Sequence, residues 1–306
     1  SSAASDVYKR QVLPCLYLRF IGMAAFRQGE SCMKKHFSTI IFILIFLTGL
    51  SLLLYPTVSD WYNSLFQIEV IESYTKDVEK LDDETYNRLL SEARNYNEAI
   101  SEKEQNYILS DREQKEYNSL LNISGSGIMG YIEIPVINVK LAIYHGTSEA
   151  VLSSGVGHIP GSSLPVGGES THCVVSGHRG LPSAKLFSNL DELVIGDIFT
   201  LYTLEEMLTY EIDKIQVVLP EEIDGLAVKK GKDYCTLVTC TPYGINTHRL
   251  LVRGHRIEKI RETVVADAVK VDKIIISLVV GILPALVIII VILRGKEKDG
   301  DKKIFL

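Results

Sequence analysis

The stretch TLVTCTPYGINTHRLLVRG, residues 236–254, sets a thiol at the end of one strand-like run and a guanidinium at the start of the next. In the preceding DYCTLVTC, alternation puts Tyr234, Thr236, Val238 and Cys240 on one face and Cys235, Leu237 and Thr239 on the other. The return over 241–248 is short enough for a hairpin, which brings Arg249 beside Cys240 across the mouth of the loop. A second display of this kind follows the run HCVVS (172–176), where Gly177 and Gly180 bracket His178. A nucleophilic thiol needs a base or imidazolium partner, and a cation where the oxyanion develops. Cys240, His178 and Arg249 supply one of each, and loops at strand ends are where scaffolds commonly present such groups. Residue types alone leave the histidine open, because His145, His158, His172, His248 and His255 lie in the same region. His248, next to Arg249, is the strongest rival, although alternation sends it to the opposite face.

No metal or cofactor is implied. His172, Cys173 and His178 have no CxxC or HxxxH spacing, and adjacent residues of a strand point apart. Of the five cysteines, a nucleophilic Cys240 must stay free, so Cys173 and Cys235 make the one pair that could bridge in this part of the chain.

These groups need a rigid frame, and from about residue 127 onward the sequence reads as one. Short alternating runs (Val139, Leu141, Ile143; Leu208, Tyr210, Ile212; Leu250, Val252) are separated by Gly, Pro and Asn, which predicts an all-β barrel or sandwich over 127–260. SAKLFSNLDEL (183–193) is expected as a helix between strands. Residues 56–126 read as helical, with apolar positions at helical spacing (Ile68, Ile71, Val78, Leu81, then Tyr86, Leu89, Leu90, Ala93) and a capping box, SDRE, at 110–113. Such polar helices either pack on the barrel or form a solvated stalk.

Two uncharged apolar runs, 37–54 and 274–293, are each long enough to span a bilayer. Lysines precede the first and a basic tail at 294–306 follows the second, which places both termini in the cytoplasm and the chain between them outside. The first run is an N-terminal anchor or signal (33–55), and 261–273 is a linker. Residues 1–32 read as a non-native or artefactual leader ahead of Met33. A net charge of −6 with scattered Lys and Arg excludes a nucleic-acid footprint.

The region 127–256 resembles a sortase, and specifically a class C, pilus-building sortase. TLVTCTPYGINTHRLLVRGHR resembles that family's nucleophile motif, SGHRGLPSAKLF its histidine motif, and GHIPGSSLPVGG (157–168) an adjoining stretch. The resemblance implies a mainly β fold: an eight-stranded barrel with N-terminal helices and, with the two apolar runs, a transmembrane helix at each end. It implies Cys240 as the nucleophile that forms an acyl-thioester, His178 as its acid/base partner and Arg249 as the oxyanion or substrate-positioning group. Cleavage would fall between Thr and Gly of an LPxTG-type sorting signal. The partners would be pilin subunits that carry this signal and an acceptor lysine, at the cell membrane of a Gram-positive bacterium. Two alternatives stay open: an anchoring sortase that joins surface proteins to cell-wall peptide, and a non-catalytic membrane scaffold that binds pilins. One departure from the class is that no Asp-Pro-aromatic lid occurs; the matching segment is LLNISGSGIMG (120–130).

Overall fold

The structure is a computed structural model that describes residues 3–103, 106–222 and 224–258. The expected linker at 261–273, the second apolar run at 274–293 and the basic tail lie outside these residues.

Eight strands close into a barrel in the order β1-β2-β3-β4-β7-β8-β6-β5. They are β1 (Ile128–Ile134), β2 (Val139–His145), β3 (Val156–His158), β4 (Thr171–Gly177), β5 (Ile198–Thr203), β6 (Glu206–Val218), β7 (Asp233–Thr241) and β8 (His248–Arg256). The β2/β3 and β4/β7 pairs are parallel and the other six antiparallel. Period-two alternation selects the interior: Leu141 and Ile143, Cys173 and Val175, Phe199 and Leu201, Leu208, Tyr210 and Ile212, Cys235 and Leu237, and Leu250 and Val252 all enter one core.

Three helices precede the barrel and a short one interrupts it: α1 (Ala3–Val78), α2 (Asp83–Ser101), α3 (Asp111–Ser119) and α4 (Glu149–Ser154). The capping box forms as the sequence predicts, with Ser110 accepting from the Glu113 amide and Glu113 reaching back to the Ser110 amide. Of the two readings of the helical segment, packing is what occurs. Leu89, Leu90 and Ala93 of α2 and Tyr117 of α3 join the barrel core, while Ile71, Tyr74 and Val78 of α1 pack with Ile128 and Ala142 outside it. The helix α1 is continuous through both Met33 and the expected boundary at 55/56, so the apolar run and the first extramembrane helix are one element.

Within α1 lies one stretch long and apolar enough to cross a membrane, and no part of that window is buried by the protein. Phe42, Ile43, Leu44, Ile45, Leu52 and Leu53 are all exposed.

The helix expected at 183–193 does not form. Leu181 and Ala184 make an isolated bridge, Leu186 takes a positive φ of 39°, and only Leu190–Glu192 closes a 3-10 turn. Long-range anchoring overrides the helical spacing: the Phe187 amide donates to the His178 carbonyl at 3.2 Å and the Phe187 ring is wholly buried. The ring lies against Gly177, where an added Cβ would come within 2.7 Å of it. The loop therefore folds back on the end of β4 instead of coiling away from it.

Candidate functional site

Register is what assembles the site. Strands β4 and β7 run parallel with Ser176 opposite Val238, so two residues further along each, His178, just past the end of β4, is level with Cys240 near the end of β7. Strands β7 and β8 are antiparallel with Cys240 directly opposite Arg249. Directly paired residues of an antiparallel ladder share a face, and Cys240 is on the face of Val238, outside the barrel. His178, Cys240 and Arg249 thus form one row across the ends of three adjacent strands. The thiol is free and partly exposed.

Each member of the row is held differently. The His178 Nε2 is buried with no hydrogen-bond partner, and Glu149 Oε2 at the start of α4 lies 3.5 Å from it. Arg249 Nη1 donates to the carbonyls of Asn246 at 3.2 Å and His248 at 3.1 Å, so the backbone of the β7/β8 loop holds the guanidinium. Arg179, next to His178, fixes that loop in turn. Its Nη1 donates to Thr241 Oγ1 at 3.1 Å, its Nη2 to Asp191 Oδ2 at 2.5 Å, and its guanidinium carbon lies 5.9 Å from the centre of the Tyr243 ring. With its side chain only 8% exposed, Arg179 ties the residue after Cys240 to the turn that closes the histidine loop.

Three of the other histidines, His145, His158 and His172, are held by hydrogen bonds away from the row. His158 is wholly buried between the Tyr117 hydroxyl and the Ser163 carbonyl, and His145 contacts the carbonyls of Gly127 and Leu120. His172 contacts the Ala227 carbonyl and Thr236 Oγ1, and burial pushes its imidazole down to about 4. His255 pairs with Tyr234 at the far end of β7, and His248 pairs with Thr241 and contacts Thr247 Oγ1. Cys173 and Cys235 are opposite one another on β4 and β7, inside the core and unbridged. Burial raises the Cys235 thiol. No group of three His, Cys, Asp or Glu side chains able to hold a metal occurs among the described residues.

The outer face of β4 and β7 leading to Cys240 is an apolar floor of Val174, Leu226, Val238 and Leu251. The segment matched in sequence to the class C lid, 120–130, does not stand over the site: Leu121 and Met129 are core residues and Ile128 begins β1. Tyr107 lies on the floor instead, packed against that cluster with its hydroxyl donating to the Leu226 carbonyl at 3.1 Å. A cleft of about 1250 Å³, lined by Arg94, Glu98, Asp233, His255 and Arg256 among others, is at the opposite end of the barrel and contains none of the row.

Sequence reasoning missed Glu149, Arg179 and Tyr107, as well as three residues of α1. Ser59 Oγ donates to the Ser183 carbonyl at 3.0 Å, and Asn63 Nδ2 donates to the same oxygen. Asp60 accepts from the Lys185 amide at 2.8 Å and faces its ammonium at 3.5 Å. The position of Arg179 beside the histidine was a usable signal; the α1 contacts join residues more than a hundred positions apart and left none.

Comparison with known proteins gives a consistent result. Residues 132–257 match the sortase domain family. The chain is similar to sortase D of Bacillus subtilis, 34% identical over 131 residues that cover 42% of this chain and 63% of that relative. It spans less than two thirds of the length of the curated relatives it matches. Among solved structures, sortase C1 of Streptococcus agalactiae is 50% identical with a TM-score of 0.61, covering 63% of this chain and all of that one. Sortase C of Clostridium perfringens with the C-terminal cell wall sorting motif is 45% identical with a TM-score of 0.56, covering 63% of this chain and all of that one.

Proposed function

We propose that this chain, which belongs to the sortase family and to its class C branch, is a membrane-anchored cysteine transpeptidase that joins pilin subunits. The observation that carries the reading is the row of His178, Cys240 and Arg249 across the ends of β4, β7 and β8. The Cys240 sulfur attacks the Thr carbonyl carbon of an LPxTG-type signal, and Arg249 donates to the oxyanion that forms. As the C–N bond to Gly breaks, the imidazolium of His178 gives its proton to the departing amine. The thioester then accepts a neutral lysine ε-amine from the next pilin. His178 takes the amine's proton, the isopeptide bond forms as the C–S bond breaks, and the Cys240 thiolate is released beside the regenerated imidazolium.

The apolar floor of Val174, Leu226, Val238 and Leu251, against which Tyr107 packs, supports reading this face as the seat of the extended signal peptide. The exposed apolar stretch of α1 anchors the enzyme, with the barrel on the outer face of the cell membrane.

The product decides between this reading and an anchoring sortase, because a thioester reacts with whichever amine the site admits. The enzyme mixed with a pilin of the same genome should give a ladder of covalent multimers that survives boiling in detergent. One pilin lysine variant should remove the ladder and keep cleavage of the signal. Transfer only to glycine-type or cell-wall peptide amines, with no ladder, would establish the anchoring role instead.

A further inference from the structure

The contacts of α1 are ordered along the barrel. Near its C-terminal end the Tyr74 hydroxyl meets the Met129 carbonyl and the Leu204 amide, at the end of the barrel remote from Cys240. Higher up, Gln67 bridges the Ala142 amide and the Ser154 carbonyl. At the top, Ser59, Asp60 and Asn63 grip residues 183–185 of the loop that follows His178. The helix therefore climbs toward the catalytic end as it is followed back toward the apolar stretch, about 22 Å between Tyr74 and Ser59 at 1.5 Å per residue. Ser59 is five residues past Leu54, where the uncharged run ends, or about 8 Å of helix. That is on the order of the thickness of one headgroup layer.

A second observation is independent of the helix. Outside α1, the exposed large apolar side chains among the described residues are Ile108, Val136, Val194, Ile195, Val217, Leu219, Tyr243 and Ile245. All but Ile108 stand at one end of the barrel. Val136 is in the β1/β2 turn, Val194 and Ile195 precede β5, Val217 and Leu219 end β6, and Tyr243 and Ile245 tip the β7/β8 loop. Register puts that end level with Cys240, since Val218 pairs with Arg249. Clustered exposed apolar groups mark an interaction surface. The adjoining part of α1 adds Tyr55, Trp61 and Tyr62, all exposed, at the depth where aromatic residues favour a membrane interface.

We infer that the catalytic end of the barrel faces the bilayer, with its apolar rim seated in the headgroup layer and α1 holding it there through the histidine loop. The occupant of the rim is the lipid surface, because the helix that grips this end continues directly into the membrane-crossing stretch. Cys240 then opens into the space between barrel and bilayer, so peptides must reach it along the membrane plane. The inference rests on the membrane anchoring proposed above, and it is independent of the reaction.

The test uses the full chain in phosphatidylglycerol vesicles that carry a nitroxide-headgroup lipid. An environment-sensitive fluorescent amino acid replaces Leu52, Ile195 or Lys232 in separate preparations. Lys232 is exposed at the opposite end of β7, about 30 Å from Thr241 at 3.3 Å per residue. Most of the fluorescence should be lost at 52 and at 195, and none at 232. Quenching at 52 alone would leave the anchor in place and overturn the orientation, giving the rim to a protein partner. Quenching at 232 in place of 195 would invert the orientation. No quenching at 52 would sink the anchoring itself, and the inference with it.

Discussion

Replacing Arg179 by alanine should slow the enzyme without touching its three reacting groups. The side chain is almost wholly enclosed and makes three separable contacts. A hydrogen bond from a charged donor, here to Thr241, contributes about 1.5 kcal/mol. The ion pair with the half-exposed Asp191 is discounted for solvent to no more than about 1 kcal/mol, and the cation over Tyr243, near the distance limit, adds about 0.5 kcal/mol at most. The clamp thus holds the β7/β8 loop by about 2 kcal/mol, roughly thirtyfold in the population of the arrangement that keeps Arg249 beside Cys240. Arg179→Ala should lower kcat/KM for acylation by a signal peptide by about tenfold, within that ceiling. Asp191→Asn, which keeps Thr241 and Tyr243 in contact, should cost only about threefold. Rapid-quench measurement of the acyl-enzyme gives both rates, and a thermal melt shows whether the barrel is intact. Acylation at the unaltered rate in Arg179→Ala would refute the claim that this residue orders the loop.

Arg249→Lys should lose nearly as much turnover as Arg249→Ala, because one ammonium cannot replace planar donors aimed from a fixed loop; near-normal turnover in the lysine variant would mean that charge alone suffices. Tyr107→Ala should raise acylation by a short signal peptide several-fold by uncovering part of the apolar floor it packs against, and a fall in rate would mean that the tyrosine helps to bind the peptide. Folding stability should depend on His172, whose imidazole burial holds at about 4 against about 6.5 when unfolded. A depressed folded value means that the stabilisation is full above pH 6.5 and is lost as pH falls toward 4, by about 3 kcal/mol. His145, also lowered by burial, acts in the same sense and Asp233, raised by burial, in the opposite one. Thermal melts at pH 7 and pH 4.5 should therefore differ less in His172→Gln than in the parent, and equal differences would contradict this assignment.

The parts of this fold that were legible in the sequence are those set by local periodicity. Alternation in residues 234–240 separated the two faces of β7, leaving to the structure which one enters the core, and the short 241–248 return gave the pairing of Cys240 with Arg249. The Ser110 capping box was equally local. His178 is a different case, because what brings it level with Cys240 is the parallel register of β4 on β7, a pairing of strands about sixty residues apart that no local pattern encodes. Motif resemblance supplied what periodicity could not. The 183–193 segment was misread because its helical spacing competes with Phe187, which is drawn back against Gly177 and the His178 carbonyl. The same non-locality hid the grip of Ser59, Asp60 and Asn63 on the histidine loop, and Tyr107 on the floor before the thiol.

The assignment of the row is tested most directly by trapping the acyl-enzyme. The chain mixed with an LPxTG-type peptide and quenched in acid should gain the mass of the acyl fragment, and peptide mapping should place it on Cys240 alone. Cys240→Ala should give no adduct while melting as the parent does, since its removal opens no core cavity. His178→Ala should strongly reduce the adduct, whereas His248→Ala should leave it. An adduct on any other residue, or full acylation in the absence of the Cys240 thiol, would contradict the account.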